Sequence, residues 1–168
     1  AIVEEFRPLF ESNSIVKIAH NVKYDLKVLL RYDMPVSYPI FDTMIAHYLI
    51  NPESKQGMDF LAEFYLGYKP ISIETLIGKK GKNQGNMGDL APEDVFNYAC
   101  EDADITFQLK QIFHPEIEKE HLKSLFYDME MPLVTILANM EREGIAIDEP
   151  FLRDYSKTLG DQLLALEK

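Results

Sequence analysis

The stretch Ile15-Val16-Lys17-Ile18-Ala19-His20-Asn21-Val22-Lys23-Tyr24-Asp25-Leu26 decides how the rest of the chain is read. Ile15 to Ala19 is short, β-branched and apolar, the pattern of a strand in a mostly buried sheet. His20-Asn21 breaks it, and from Val22 to Tyr32 the residues Val22, Leu26, Leu29 and Leu30 form one helical face. A strand that turns directly into a helix is the unit that places functional groups at the carboxyl end of a sheet. Asn21, Tyr24 and Asp25 occupy that junction.

Working outward, Ile2, Phe6, Leu9 and Phe10 predict an amphipathic helix over 2–10, and Ile40-Phe41 predicts a second strand. Asp42 is placed to cap a helix over 43–50. Met58 to Leu66 reads as a helix stopped by Gly67. Gly78 to Gly88 lacks apolar periodicity and carries Lys79, Lys80 and Lys82, so it is expected to be a mobile, locally basic loop. Ala91-Pro92-Glu93-Asp94 opens a helix expected to reach Phe113, with Pro near its start and acids in its first turn. A domain boundary is placed near His114-Pro115 to His121, where βα units give way to long helices. Leu122 to Glu143 then reads as one amphipathic helix kinked at Pro132 and closed by Gly144. Asp148 caps a last helix running to the end of the chain.

The chain has 168 residues, 46% of them hydrophobic, which is ample for a core and excludes global disorder. One cysteine excludes a disulfide scaffold or a Cys-based zinc site, and points to a reducing compartment. No apolar run approaches the roughly 18 residues of a membrane span, and the acidic Ala1-Ile2-Val3-Glu4-Glu5 start does not read as a signal peptide. A soluble, cytoplasmic protein with no membrane partner is expected. The formal charge of -11 argues against binding nucleic acid by summed positive field alone, so phosphate chemistry would call on divalent cations.

Two constellations carry possible chemistry. Asp25 lies in a first helical turn, where an acid is also simply favourable to the helix dipole. Tyr98 and Asp102 are one turn apart on one helix face, which taken alone also describes a packing Tyr beside a solvated Asp. The four histidines, His20, His47, His114 and His121, form no zinc spacing and are expected in surface or capping roles. Cys100, Met129, Met131 and Met140 are expected in the core. The Gly/Lys loop is not a P-loop, because no Gly-Lys-Ser/Thr follows it.

Asn21-Val22-Lys23-Tyr24-Asp25 and Tyr98-Ala99-Cys100-Glu101-Asp102, in this order, resemble the second and third motifs of the DEDD superfamily of 3′-5′ exonucleases in its Tyr variant. Phe41-Asp42-Thr43-Met44, Met58-Asp59-Phe60-Leu61-Ala62-Glu63, Gly78-Lys79-Lys80-Gly81-Lys82-Asn83-Gln84 and the segment from Met129 to Asp148 resemble bacterial family A DNA polymerases, the polymerase I family. The resemblance implies an α/β, ribonuclease H-like 3′-5′ exonuclease fold, truncated before its first strands and so mostly helical. Residues 1–115 would be a partial proofreading exonuclease domain and 116–168 the helical entry to the polymerase domain. It implies two divalent ions, Mg²⁺ or Mn²⁺, held in part by Asp25 and Asp102, hard oxygen ligands for hard cations. It implies that Tyr98 orients the attacking water and that Asn21 and Tyr24 contact the single-stranded 3′ end of DNA. Lys79, Lys80 and Lys82 are read either as meeting DNA phosphates or as part of a solvated linker.

The family's first motif, Asp-x-Glu, does not occur in residues 1–24. The expectation is that the parent polymerase proofreads while this chain alone lacks activity, and that an uncovered sheet edge favours self-association. Two other readings stand beside it: a stand-alone exonuclease of the ribonuclease D or Werner type, and a non-catalytic scaffold.

Overall fold

Two strands too short to stand alone are held together by what packs on them. In the computed structural model, which describes residues 2–167, β1 (Lys17–Ala19) and β2 (Ile40–Asp42) pair in parallel, with Ile18 opposite Phe41 and Ala19 opposite Asp42. Parallel strands need a crossover, which α3 (Val22–Leu29) and a following 3-10 turn (Leu30–Tyr32) provide. Before β1 come α1 (Ile2–Glu5) and α2 (Arg7–Phe10). After β2 come α4 (Thr43–Ile50), α5 (Met58–Leu61), α6 (Ile73–Ile77), α7 (Pro92–Lys119), α8 (Met131–Glu143) and α9 (Glu149–Leu166). The architecture is mostly helical around a small parallel sheet, as the sequence implies. Ala1 of the acidic start and Lys168 at the end of the last helix lie outside the described residues.

The core lies where α4 runs along α7 and α3 along α8. Phe41 of β2 is buried against Phe126, their ring centroids 4.9 Å apart, and Phe113 packs on Tyr65 at 5.0 Å. Each such side chain contributes on the order of 1.5–3 kcal/mol by leaving water. Ile117, Phe126, Met131, Val134 and Ala138 belong to the same cluster as Val22, Ile40 and Phe41, so the chain beyond 115 shares this core as far as α8. Glu141 ties α8 to α3, accepting from Lys23 Nζ at 2.6 Å and Lys27 Nζ at 2.7 Å. No residue of α9 is buried.

Several elements differ from the sequence reading. The first helix restarts at Phe6, because Pro8 lacks an N–H to continue the ladder and its ring crowds the preceding turn. Helix α7 does not stop at Phe113; it passes through Pro115 to Lys119, and the chain turns only where His121 adopts φ 56°. The expected helix over 122–143 is helical without a break from 123 to 143, but a π-helical stretch (Leu125–Glu130) leads into α8 and Pro132 sits in the first turn of α8. Pro132 has no N–H for residue 128, and the wider register before it avoids that missing bond. The helix over 58–66 likewise ends in a π turn (Ala62–Leu66), with Gly67 at φ 64° closing it as expected. Helix α6, capped by the Ser72 side chain, was not expected.

Asp42 does more than cap α4. Its Oδ1 accepts from Met44 N at 2.8 Å, Ile45 N at 3.2 Å and Asn21 N at 3.2 Å, and its Oδ2 accepts from Val22 N at 2.7 Å. The side chain is almost wholly buried, so replacing it strands several amides away from water. Asp42→Ala is expected to lower the unfolding free energy in urea by about 3 kcal/mol or more, with Asp42→Asn costing less because one carbonyl acceptor survives. A loss below about 1 kcal/mol for Asp42→Ala would contradict this account.

Candidate active site

Both strands end on the same side, at His20-Asn21 and at Asp42. Asn21 precedes α3 with φ 68°, a left-handed conformation that Asn tolerates better than most residues. Its amide and that of Val22 are pinned to Asp42, which fixes the direction in which α3 departs. One turn later, Tyr24 and Asp25 face an open cavity of about 770 Å³. Asp102 of α7 lines the same cavity, with His20, Met58 and Thr106. Much of the remaining wall is apolar, including Leu9, Phe10, Ile15 and Val16.

This geometry brings together Asp25, Asp102 and Tyr24. Tyr98 is one turn before Asp102 on α7, partly buried but outside the cavity lining. Asn21 contributes backbone rather than a side-chain contact. Lys79, Lys80 and Lys82 are exposed and do not line the cavity. Among the described residues, no group of three or more His, Cys, Asp or Glu is arranged to hold a metal ion. Asp25 and Asp102 are nevertheless hard oxygen donors on one cavity, and Mg²⁺ is commonly held by one or two carboxylates with waters and substrate phosphates completing its shell.

Four side chains depart from expectation. His47 is not at the surface but buried, with Nδ1 2.5 Å from Gln56 Oε1 and Nε2 3.1 Å from Tyr65 Oη. Cys100, Met129 and Met140 are exposed instead of packed; only Met131 reaches the core. Cys100 lies in the amino-terminal half of α7, whose buried residues begin only at Ile105. His20 rests with Nδ1 2.9 Å from Thr43 Oγ1. Nothing in the sequence pattern marked His20 or the second role of Asp42.

A family model described as 3′-5′ exonuclease matches residues 1–118. The chain belongs to this 3′-5′ exonuclease family. Among its relatives, the DNA polymerase I of Borreliella burgdorferi is 41% identical over 166 residues, covering 99% of the chain and 18% of the relative. That of Pseudomonas aeruginosa is 35% identical over 172 residues, covering 100% of the chain and 19% of the relative. The chain thus spans about a fifth of the length of the curated relatives it matches. In fold, it is similar to the POL domain of Pol1 from M. smegmatis, solved with DNA primer-template and dNTP, at TM-score 0.69 and 23% identity over 97% of this chain and 25% of that one. No helix among the described residues is long and apolar enough to cross a membrane.

The electrostatics of this candidate site follow from partial desolvation without neutralisation, on an Asp25 that is still exposed at the cavity and an Asp102 that is half-buried. Asp25 has its pKa raised first by burial and then by the nearby Asp42 charge. Asp102 is raised first by burial, against a lowering contribution from Tyr98, with Glu101 and Asp59 adding repulsion. Burial, then the adjacent Asp102 charge, pushes the Tyr98 phenol up to about 12, so at neutral pH it holds its proton. A carboxyl whose folded pKa lies above its unfolded value contributes stability below the unfolded pKa and loses it as pH rises through the folded one. In metal-free buffer, Asp25→Asn and Asp102→Asn are therefore each expected to raise the melting temperature at pH 7. The gain should shrink on acidification and vanish below about pH 4, where the unfolded carboxyl also holds its proton. A lower melting temperature for both variants at pH 7 would contradict the assignment of these carboxylates to a desolvated site.

Proposed function

We propose that this chain is the part of a proofreading exonuclease that supplies the second- and third-motif carboxylates, Asp25 and Asp102, within a bacterial polymerase of the polymerase I family. The observation carrying this reading is that two acids from distant helices, α3 and α7, face one cavity at the carboxyl end of the parallel strands. The fold is read as ribonuclease H-like, with residues 1–115 forming part of the exonuclease domain and 116–168 leading into the polymerase domain. The substrate is the single-stranded 3′ end of DNA, and the setting is the bacterial cytoplasm and its nucleoid. The named relatives support the polymerase context.

Two divalent cations, Mg²⁺ or Mn²⁺, when bound, would neutralise the phosphoryl oxygens and lower the pKa of an attacking water. Asp25 and Asp102 would hold them in part. Their raised pKa values accord with carboxylates that gain from a cation, since each is partly desolvated and lies beside other negative charge. Tyr98, protonated at neutral pH, serves as a hydrogen-bond donor and orienting group rather than a base. Tyr24, largely exposed at the cavity, offers a ring face on which a terminal base can stack. The chain's net charge of -11 accords with a site that accepts a phosphodiester through bound cations.

In the polymerase polypeptide that carries this chain, Asp25→Ala and Asp102→Ala are each expected to reduce excision of the 3′-terminal nucleotide from single-stranded DNA to background. Tyr98→Phe should lower it about 10- to 100-fold, the range for a residue that orients rather than ligates. Undiminished excision in the double Asp25→Ala/Asp102→Ala variant would overturn the reading. This chain alone brings two carboxylates to the cavity where the resemblance implies four, so a gel assay with Mg²⁺ or Mn²⁺ is expected to show no excision. Robust excision by the chain that either substitution abolishes would refute that part.

A further inference from the structure

Between Gly67 and Leu90 the chain leaves the core and returns to it, carrying α6 and the basic loop. None of these residues is buried. Its hydrogen bonds are local: Thr75 N to Ser72 O, Gly78 N to Glu74 O, and Gly85 N to Ile77 O at 2.7 Å. At its entry, Tyr68 N donates to Ala62 O at 3.3 Å, within the turn that closes the preceding helix. Among the described residues, no salt bridge joins this excursion to the rest of the molecule. Besides the packing of α6 on α7, Glu101 supplies the hydrogen bonds that tie the excursion to the rest of the molecule. Its Oε2 accepts from Ile71 N at 2.7 Å, and its Oε1 accepts from the Tyr68 hydroxyl.

Glu101 stands beside Asp102 in the same turn of α7. A carboxylate that takes one N–H and one O–H makes charge-assisted bonds, roughly twice as strong as neutral ones. A carboxylate tolerated next to the site, and spent on holding a distant segment, is best explained by what the segment carries. Lys79, Lys80 and Lys82 lie within it.

We propose that Glu101 is a positioning residue: through Tyr68 and Ile71 it registers the excursion over 67–90 against the turn bearing Asp102, and so places the Lys79-Lys80-Lys82 loop to meet the phosphates of the DNA strand whose end lies in the cavity. The proposal rests on the exonuclease reading for its ligand, while the clamp itself is a statement about this chain. Glu101 touches neither substrate nor cavity; it acts through the segment it holds. The loop compensates, beside an acidic wall, for charge that would otherwise repel the strand. Between Asp89 and Glu120 the sequence has nine acids against two bases, which makes the placement of three lysines consequential.

The test combines amide hydrogen exchange with fluorescence anisotropy of a labelled single-stranded oligonucleotide, both on the 168-residue chain. Glu101→Ala is expected to accelerate exchange at Ile71 and across 72–90 at least about 10-fold, the scale of losing charge-assisted bonds in an otherwise unburied segment, with α4 and the carboxyl-terminal half of α7 unchanged. Tyr68→Phe, which leaves α7 intact, should give a smaller acceleration in the same residues and guards against misfolding of the first variant. Unchanged exchange in both overturns the clamp. Oligonucleotide affinity should fall in Glu101→Ala, and should not fall further when the substitution is made in a Lys79→Ala/Lys80→Ala/Lys82→Ala background. If the triple variant weakens binding and Glu101→Ala does not, the positioning role is refuted. If exchange accelerates but the triple variant binds DNA normally, the phosphate-facing role of the loop is overturned, while loss of Asp25- and Asp102-dependent excision would remain the separate test of the exonuclease reading.

Discussion

Everything at the open end of the sheet depends on the buried carboxylate of Asp42. Two strands of three residues each cannot hold an angle between themselves and the helices that follow them. Asp42 supplies that constraint by accepting amides from two helix entrances at once, those of α3 and α4. The bonds are charge-assisted and shielded from water, and a partly satisfied version of the same network would be worse than none. The position of Asp25 follows, because it is one turn beyond an amino terminus that cannot rotate. The same charge raises the pKa of Asp25, so a single structural ion both aims the site residue and helps set its electrostatics.

The cavity that Asp25 and Asp102 share is mostly apolar, and neither acid has a cation or basic side chain among the causes of its pKa shift. Carboxylates in such surroundings destabilise the fold in their ionised state, and functional sites commonly carry such a cost. The apolar residues of the amino-terminal stretch are exposed in keeping with this openness: Ile2, Phe6, Ile15 and Val16 lack a covering layer among the described residues. By contrast α3, α4, α7 and α8 close a tight aromatic and aliphatic core. The same helices, α3 and α7, both build that core and present the acids.

Legibility in the sequence tracked the locality of each signal. The caps at Asp42 and Asp148, the stop at Gly67 and the βα junction at Asn21 each depend on a few adjacent residues, and each stands where the pattern puts it. Elements containing proline were harder to place. Pro115 lies inside a helix because its surroundings, Phe113 and Ile117, bury on one face strongly enough to carry the missing bond, and Pro132 opens a helix because a π turn precedes it. His47 reads as a surface residue until Gln56 and Tyr65 are brought to its two nitrogens, and Cys100 reads as a core residue until the buried face of α7 is seen to begin at Ile105. These depend on partners distant in the chain.

Residue types and spacing were enough to predict a βα junction amid helices and an acidic protein that would need cations near a phosphate, while the resemblance to an exonuclease family is what singled out Asp25, Tyr98 and Asp102. Periodicity and capping are local, so they survive without knowledge of packing. Tertiary structure alone decided that Asp25 and Asp102 line one cavity while Tyr98 does not, that Asp42 joins two helix entrances, and that Glu101 holds the basic excursion. Those are relations between segments, set by burial and by the need of each desolvated polar group for a partner, and no window of sequence contains both sides of them.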